Sequence, residues 1–510
     1  MTAKTKRNKA GNLDLPLFHF SAKRKIERLG VVDVGSNSVR LVIFDGAARS
    51  PAYFFNEKIL CGLGSGLEET GRLNPEGRVR AMNALKRFVL LAKNMDAGPL
   101  YSVATAAVRE AEDGADFCRE VKKATGLSLN VASGEEEARL SAQGVLLGWP
   151  EANGLVCDIG GSSMEMAEIL DGDVGTCVTS ALGPQKLARY AQDGTITEVI
   201  KARVAGLRAK IGKEHDILFL VGGSWRAIAR LDMERRQYPL RVLHEYAMTP
   251  AQLLETVDWI ETKSVAELRA LSGSSQERMI LVPVAAEVLR ELIRQFHPKQ
   301  IAISSYGIRE GLLYEQMPED LRRRDPLIEA CRYMEHASAR NPGFGKVLFE
   351  FLSPLFFETP KEQLRLIKAA CLIHDVTWRA HPDYRAEVCF DNATRANLGG
   401  LDHAGRVFLG TALLNRYKNS RNQAAFGEVI ALLTEEERLT AEIVGKAMRF
   451  GAMLSGASIQ MMGRLNYDRE NGVLELILRP KSMDLFGEVV MVRFESLARA
   501  LGCDARVRVE

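Results

Sequence analysis

The chain has 510 residues, of which 46% are hydrophobic and 26% charged, a composition typical of a soluble protein with three or four domains. Its 68 basic and 65 acidic side chains leave a formal charge of +3, which argues against a polycation that binds nucleic acid and leaves only local anion-binding surfaces. The eight cysteines form no C-x-x-C pair, which argues against a disulfide scaffold or structural zinc and favours a reducing cytoplasm.

The N-terminal segment, residues 1–29, is rich in lysine and arginine and has little apolar periodicity. This pattern predicts a disordered basic arm, with a weak contact to a polyanion as the alternative. No apolar stretch approaches the roughly 18 residues that a membrane helix needs, and none has the form of a signal peptide. We therefore expect a cytoplasmic protein that is neither exported nor inserted into a membrane.

The pattern Asp-x-Gly-x-x-Ser occurs twice, at residues 33–38 and 158–163, each time after an apolar run rich in β-branched residues. Each copy lies between two predicted strands, which indicates a hairpin with a tight turn. Strands and apolar-periodic helices then alternate. The predicted elements are strands at 31–34, 41–44, 100–104, 155–159, 164–170, 217–221 and 301–304, with helices at 75–93, 135–147 and several up to 293. This alternation predicts an α/β fold in two halves, residues 30–140 and 141–315.

Beyond residue 322 the pattern changes to long helical periodicities, which predict a mostly helical domain over residues 322–460. Residues 464–510 contain an Asn471-Gly472 turn followed by an apolar run at 473–478 that suits a buried strand. The apolar segment 489–494 and a short helix follow. We expect a small C-terminal α+β domain here.

Glycine and small polar residues in a tight turn allow backbone N–H groups to converge on an anion. Asp33 and Asp158 would repel a phosphate in those turns unless a divalent cation lay between them, which implies Mg²⁺. The alternative is an ordinary hairpin turn, where the same residue types are common, but two matched copies favour phosphate. The candidate phosphate-binding residues are Gly35, Ser36, Asn37, Ser38, Gly160, Gly161, Ser162 and Ser163, together with a third, weaker loop after strand 217–221, Gly222, Gly223 and Ser224.

Residues 133–140, Ser-Gly-Glu-Glu-Glu-Ala-Arg-Leu, form a second candidate constellation. Ser133 and Glu136 have the spacing of a capping box, and acidic residues in a first turn suit the helix dipole. Neither role requires Glu137, whose carboxylate is therefore a candidate to polarise a water molecule. Arg109 follows strand 100–104 and could brace a phosphoryl group, although an arginine there is more often a surface ion pair.

Together these residues resemble the family of exopolyphosphatases and guanosine pentaphosphate phosphohydrolases, which is similar to the actin, chaperone ATPase and sugar kinase superfamily. The resemblance covers about residues 30–315. Its motifs are 32–38 with Arg40, 63–67 with 70–73, 104–110, 133–140, 158–163 with Glu165, and 309–311.

The resemblance implies two actin-like (ribonuclease H-like) domains with the active site in the cleft between them. It makes Glu137 the catalytic glutamate and Arg109 an electrophilic clamp, and it adds Glu165 to Asp33 and Asp158 beside the metal ion. The implied cofactor is Mg²⁺, with Mn²⁺ as the alternative and a monovalent cation as a further option. The implied activity is hydrolysis of terminal phosphate from inorganic polyphosphate, with guanosine pentaphosphate (pppGpp) as the alternative substrate, or both.

The helical region resembles the family's HD-like domain through residues 371–375, which include His374 and Asp375, through His381, and through residues 399–401. A working HD site needs further histidines, and residues 341–345 supply none, so we expect no second metal-dependent active site here. Its broad apolar faces predict a homodimer. Two other classes remain open: a sugar kinase, which would need an adenosine pocket, and a catalytically silent phosphate binder.

Overall fold

The computed structural model describes residues 28–46, 48–417, 424–456 and 463–510, so most of the predicted basic arm lies outside the described residues. The chain divides into two compact units, one that ends at Arg323 and one that begins at Arg324. No helix in the described part of the chain is long and apolar enough to cross a membrane.

The first unit begins with a five-stranded sheet in the order β3-β2-β1-β4-β5, in which β1 pairs antiparallel with β2 and parallel with β4. The predicted hairpin at residues 31–44 is therefore confirmed, and it places the first Asp-x-Gly-x-x-Ser turn at the end of β1. The elements are β1 (Leu29–Val34), β2 (Ser38–Phe44), β3 (Tyr53–Leu60), α1 (Leu67–Thr70), α2 (Pro75–Asn94), β4 (Leu100–Ala104), α3 (Ala106–Glu110), α4 (Gly114–Thr125), β5 (Asn130–Val131) and α5 (Gly134–Gly148).

A six-stranded sheet in the order β10-β11-β9-β6-β7-β8 follows within the same unit. From its edge, β8-β7-β6-β9-β11 repeats β3-β2-β1-β4-β5 with the same strand directions. The elements are β6 (Gly154–Ile159), β7 (Met164–Leu170), β8 (Asp173–Ser180), α6 (Pro184–Gln192), α7 (Ile196–Ile211), β9 (Ile217–Gly222), α8 (Gly223–Arg235), β10 (Ala247–Met248), α9 (Pro250–Glu261), α10 (Val265–Ser272), α11 (Gln276–Phe296), β11 (Gln300–Ser304), α12 (Ile308–Glu315) and α13 (Glu319–Arg322). The repeated sequence motif thus reflects a repeated fold.

Helices α5 and α12 pack closely against each other because glycine lies at their contact. A Cβ atom at Gly311 would overlap the carbonyl oxygen of Leu140, and one at Gly144 would lie 2.8 Å from the carbonyl carbon of Gly307. Leu312 of α12 and Leu140 of α5 join a core cluster that includes Val31 of β1. These two helices therefore fix α5, which carries Glu137, against the first sheet.

The second unit is mostly helical up to residue 455 and ends in a three-stranded sheet in the order β12-β13-β14. The predicted strand at 473–478 is confirmed. The segment 489–494 lies inside α21, so one helix replaces the two successive segments that were predicted. The elements are α14 (Pro326–Ser338), α15 (Phe344–Leu352), α16 (Lys361–Ile373), α17 (Arg385–Arg395), α18 (His403–Tyr417), α19 (Gly427–Ile430), α20 (Glu435–Ser455), β12 (Gly463–Asp468), β13 (Val473–Leu478), α21 (Glu488–Leu501) and β14 (Asp504–Val509), with short 3₁₀ turns at Ser353–Phe356, Ala424–Phe426 and Pro480–Leu485.

Candidate active site

The two turns that follow β1 and β6 have the same backbone geometry. The amide of Gly35 donates to the carbonyl of Ser38 at 3.0 Å, and the amide of Gly160 donates to the carbonyl of Ser163 at 2.9 Å. Within the described chain, the amides at positions 36, 37, 161 and 162 have no acceptor. Each turn therefore offers free donors of the kind that bind phosphate oxygens.

Each turn is braced by the segment that follows the strand paired with its hairpin, which is β3 for the first turn and β8 for the second. The amide of Gly64 donates to the carbonyl of Ser36 at 2.8 Å, and that of Gln185 donates to the carbonyl of Gly161 at 2.9 Å. A Cβ at Gly64 would lie 3.1 Å from the Cβ of Ser36, and one at Gly183 would overlap the turn at residue 162. The glycine-rich segment 62–66 lacks the third glycine of a dinucleotide fingerprint, and in the structure it positions the first turn.

Two aspartates lie at matching positions of the two hairpins but face different partners. In the strand register Asp33 lies opposite Arg40, and Asp158 lies opposite Glu165. Burial raises the pKa of Asp33, and the charges of Arg309 and Arg40 oppose that shift. Burial also raises the pKa of Asp158, which accepts a hydrogen bond from Ser141. The first hairpin is thus balanced by cations, while the second brings carboxylates together.

Glu165 is the most enclosed carboxylate of the second hairpin, and its Oε1 accepts a hydrogen bond from Thr179 at 3.1 Å. Burial raises the pKa of Glu165 well above its usual value, and the charge of Glu137 adds to the shift. Because these carboxyl groups raise one another's pKa, a cation would stabilise their ionised forms.

Glu137 lies in the first turn of α5, and its orientation follows from the residues around it. Ser133 and Glu136 form the predicted capping box, in which Ser133 Oγ accepts from the Glu136 amide at 3.1 Å and the Ser133 amide donates to Glu136 Oε2 at 2.8 Å. Glu137 takes no part in the cap, is 8% exposed, and accepts a hydrogen bond from Arg109 Nη1. Burial raises the pKa of Glu137 to about 7, against the effect of Arg109. That value suits a group that accepts a proton near neutral pH.

Arg109 lies on α3, directly after β4, and its Nη1 also donates to the carbonyl of Ala132 at 2.7 Å. The guanidinium is thereby fixed beside the carboxylate of Glu137, and the two form a partly buried ion pair. Its side chain is still a quarter exposed, which leaves donors free to contact a bound phosphoryl group.

The third predicted loop lies beside Asp158. Strand β9 ends at Gly222, which has φ +116°, and a Cβ there would lie 3.1 Å from Asp158 Oδ1. Gly223 and Ser224 begin α8, and Ser224 is largely buried. Only glycine permits this backbone conformation so close to the carboxylate.

Sequence reasoning from the turns missed a group of cations that the fold brings to these carboxylates. Arg226 donates to the carbonyl of Ser305 at 3.3 Å, and burial together with the charge of Arg309 lowers its pKa to about 10. The Nε of Arg309 is enclosed and has no hydrogen-bond partner in the described chain. Arg278 and Lys58 are near enough for their charges to act on Arg226 and Asp33 respectively. Arg226 follows the third loop by two residues, which is the one local signal that could have identified it.

Two ion pairs connect the hairpin-bearing halves beside the turns. Lys186 Nζ lies 3.0 Å from Glu110 Oε2, and Arg189 Nη1 lies 3.0 Å from Glu68 Oε2. Both cations are on α6, the helix whose Gln185 amide braces the second turn. Because such exposed pairs stabilise a structure only slightly, they join the halves without locking them together.

The donor set fits a hydrated divalent cation. No group of three or more His, Cys, Asp or Glu side chains among the described residues has a geometry ready to hold a metal ion. Mg²⁺ commonly keeps several waters and takes only one or two protein carboxylates together with phosphate oxygens. Asp33, Asp158 and Glu165 supply oxygens of that kind next to two turns with free amides.

Comparison with known proteins identifies the family of this chain. The sequence profile of the Ppx/GppA phosphatase family matches residues 42–320, and a profile described as "Exopolyphosphatase, C-terminal" matches residues 328–507. The chain belongs to the Ppx/GppA phosphatase family. It is therefore a phosphatase, and its paired sheets belong to the actin-like superfamily, as predicted. Phosphatases of this family generally depend on a metal ion.

Individual relatives are distant. Exopolyphosphatase 1 of Mycobacterium tuberculosis is 26% identical over 311 residues, which cover 58% of this chain and 89% of that protein. Retrograde regulation protein 2 of Saccharomyces cerevisiae is 25% identical over 442 residues, which cover 76% and 72% of the two chains. The crystal structure of an exopolyphosphatase from Cytophaga hutchinsonii matches with a TM-score of 0.52 and 23% identity over 56% of this chain and 97% of that one. At this identity the structural match supports the Ppx/GppA fold of the first unit.

Proposed function

We propose that the protein is a Mg²⁺-dependent exopolyphosphatase that hydrolyses the terminal phosphate of inorganic polyphosphate. The observation that carries this proposal is Glu137, a buried carboxylate with a pKa of about 7 that Arg109 holds beside two turns with free amides. Phosphoryl transfer needs mainly positioning, charge neutralisation and one group to orient the attacking water, and this cleft has residues for each role.

In the proposed reaction the turns at residues 35–38 and 160–163 hold the terminal phosphate by their amides. Glu137 accepts a proton from a water molecule while the water oxygen bonds to the terminal phosphorus. The bridging P–O bond breaks, and the shortened chain leaves with its electron pair. Arg109, Arg226 and Arg309 balance the charge on the phosphate oxygens. A bound Mg²⁺, held by Asp33, Asp158 and Glu165, would add neutralising charge at the same oxygens.

The substrate is tested by measuring orthophosphate release from long-chain polyphosphate and from guanosine pentaphosphate, with Mg²⁺ present or removed by a chelator. We expect faster release from polyphosphate, and no release without the metal ion. Release from guanosine pentaphosphate alone would instead assign the protein to the other activity named in its family. The monovalent cation, the Mn²⁺ alternative, the homodimer and the cytoplasmic location stay predictions.

The pH dependence should report Glu137. The carboxylate must be ionised to accept a proton, so kcat/KM is expected to fall as the pH falls through about 7, the pKa of Glu137. In Arg109→Gln the cation that favours the ionised form is lost, so the pKa of Glu137 rises and the acid limb moves to higher pH. The exposed Arg119→Gln is the control and should leave the limb in place. An unchanged limb in Arg109→Gln would show that another group titrates.

A further inference from the structure

One face of α8 carries arginines that have no carboxylate partner. Gly223, Arg226 and Arg230 are spaced three and four residues apart on this helix, so they lie on the same face. Arg226 donates one hydrogen bond, to the carbonyl of Ser305, and Arg230 has no acceptor in the described chain. Like charges four residues apart destabilise a helix, and an anion bound between them would remove that repulsion.

A third arginine reaches this face from α11. A Cβ atom at Gly223 would lie 3.6 Å from both Nε and Nη2 of Arg278, so the guanidinium lies against the first turn of α8. No side chain caps that helix, and the first amides of a helix have no acceptor within it. Arg278 itself has neither an acceptor nor a carboxylate at ion-pair distance among the described residues. The backbone of α8 and the side chain of Arg278 therefore offer hydrogen-bond donors side by side.

This face of α8 leads from the active-site carboxylates to solvent. A Cβ atom at Gly222, the residue before the helix, would lie 3.1 Å from Asp158 Oδ1. Arg226 and Arg278 are half-buried, and Arg230 is exposed. The helix rises about 10 Å between its first residue and Arg230, a length that several linked phosphates can cover. A ligand whose end lies beside Asp158 can thus follow the arginines outward.

The first sheet brings a further cation to the same side of the cleft. In the strand register Arg40 lies opposite Asp33 on β1 and opposite Lys58 on β3, so the three side chains share one face of the sheet. Lys58 is exposed and has no hydrogen-bond or ion-pair partner in the described chain. Burial lowers the pKa of Lys58, and the charges of Arg278 and Arg40 add to that shift. Lys58 is therefore within electrostatic reach of Arg278 on the other sheet.

Other arginines of the same unit have carboxylate partners. Arg78 pairs with Asp113, and Arg290 pairs with Asp258. The side chains beside the cleft differ in that none of Lys58, Arg230 and Arg278 has such a partner among the described residues. Positive charge gathered in a cleft attracts a ligand that carries several negative charges.

We propose that Arg278, Arg230 and Lys58 bind the phosphates that follow the terminal one in a polyphosphate chain. This inference rests on the proposed function and names the part of the substrate that these cations recognise. Polyphosphate carries a negative charge on every repeat, so each cation along the path meets one. Guanosine pentaphosphate has an uncharged ribose and base after its 5′-triphosphate, and it would leave Arg230 without a partner. These residues therefore favour a long inorganic chain.

The first test measures binding of long-chain sodium polyphosphate to the full-length protein in a chelator, where no turnover is needed. Arg278→Gln should bind about tenfold more weakly than the wild type, because a charged hydrogen bond is lost. Its plot of log affinity against log salt concentration should also lose about one unit of slope, since one cation fewer displaces counterions. Arg294→Gln is the matched control, because Arg294 is exposed and lies about 24 Å farther along α11. It should bind as the wild type does, and equal affinity for the wild type and Arg278→Gln would overturn the proposal.

Chain length provides the second test, in Arg230→Gln with Mg²⁺ present. The KM for long-chain polyphosphate should rise about tenfold with kcat altered far less, because Arg230 binds a part of the chain that does not react. The KM for tripolyphosphate should rise at least about threefold less, since that chain ends before Arg230. Arg230→Lys keeps the charge and should recover most of the affinity. Equal increases in KM for the two substrates would place Arg230 at the terminal phosphate and refute its assignment.

The two experiments separate this inference from the proposed function. Phosphate release by the wild type from guanosine pentaphosphate alone would refute the proposed function. The binding measurement in chelator decides the role of Arg278 independently of any activity.

Thermal unfolding distinguishes a lost contact with the ligand from a damaged fold. Arg230→Gln removes a charge four residues from Arg226, so its melting temperature without polyphosphate should equal or exceed that of the wild type. Added long-chain polyphosphate should raise the wild-type value more than that of the variant, because a ligand stabilises the state that binds it. A lower melting temperature for the variant without polyphosphate would show that Arg230 supports the fold, and would contradict the proposal.

Discussion

Glu137→Gln is expected to lower kcat for phosphate release by about 10²- to 10⁴-fold, the usual contribution of a positioned general base. Glutamine keeps the size of the side chain and can still accept a hydrogen bond from Arg109, so the protein should fold and bind substrate. It cannot accept a proton from water at neutral pH. The change should therefore appear in kcat at saturating polyphosphate, with KM altered far less.

Glu136→Gln is the matched control, one residue away on the same helix. Glu136 bonds the Ser133 amide in the capping box and is exposed, so its glutamine variant keeps the cap geometry and should cost less than about 1 kcal/mol of stability. Its kcat should remain within a factor of about two of the wild type, since the residue is not in the cleft. Equal losses in the two variants would point to a disturbed helix and would remove Glu137 from its proposed role.

Much of this site followed from the sequence because local patterns determine it. Each Asp-x-Gly-x-x-Ser turn lies between two apolar strands, and hairpin formation depends on residues that are neighbours in the chain. The capping box at Ser133 likewise depends on a spacing of three residues. It uses Glu136, so Glu137 has no part in the cap. The predicted strand ends and helix starts of these segments agree with the structure within a few residues.

The parts that the sequence did not reveal depend on contacts between distant segments. Strands β3 and β8 were missed because much of their surface is exposed, so they lack a clear apolar pattern. Arg226 and Arg278 are ordinary arginines on helices until the sheets bring them to the site. The two hydrogen bonds from Arg340 to Asp375 were equally hidden, because the two residues are far apart in the chain.

The contact between α5 and α12 leads to the second large expected effect, in Gly311→Ala. The added Cβ would overlap the Leu140 carbonyl oxygen and lie 2.6 Å from its carbon, and both atoms belong to the rigid backbone of α5. The helices must separate, which we expect to cost about 3 kcal/mol of the free energy of unfolding, as in other overpacked cores. Because Glu137 precedes Leu140 by one helical turn and Arg309 lies on α12, a shift near 1 Å should also lower kcat/KM by about 10²-fold.

Gly206→Ala provides the control, since Gly206 is exposed in the middle of α7 and a Cβ there would meet nothing within 4 Å. Alanine favours a helix over glycine by about 1 kcal/mol, so this variant should be slightly more stable and fully active. Gly144→Ala overpacks the same helix contact from the α5 side, so its effect should resemble that of Gly311→Ala. The double variant should lose less than the sum of the two, because either methyl group alone already separates the helices. Full additivity would mean that the two glycines act at independent sites, and the position of Glu137 would then have to depend on the hairpin turns alone.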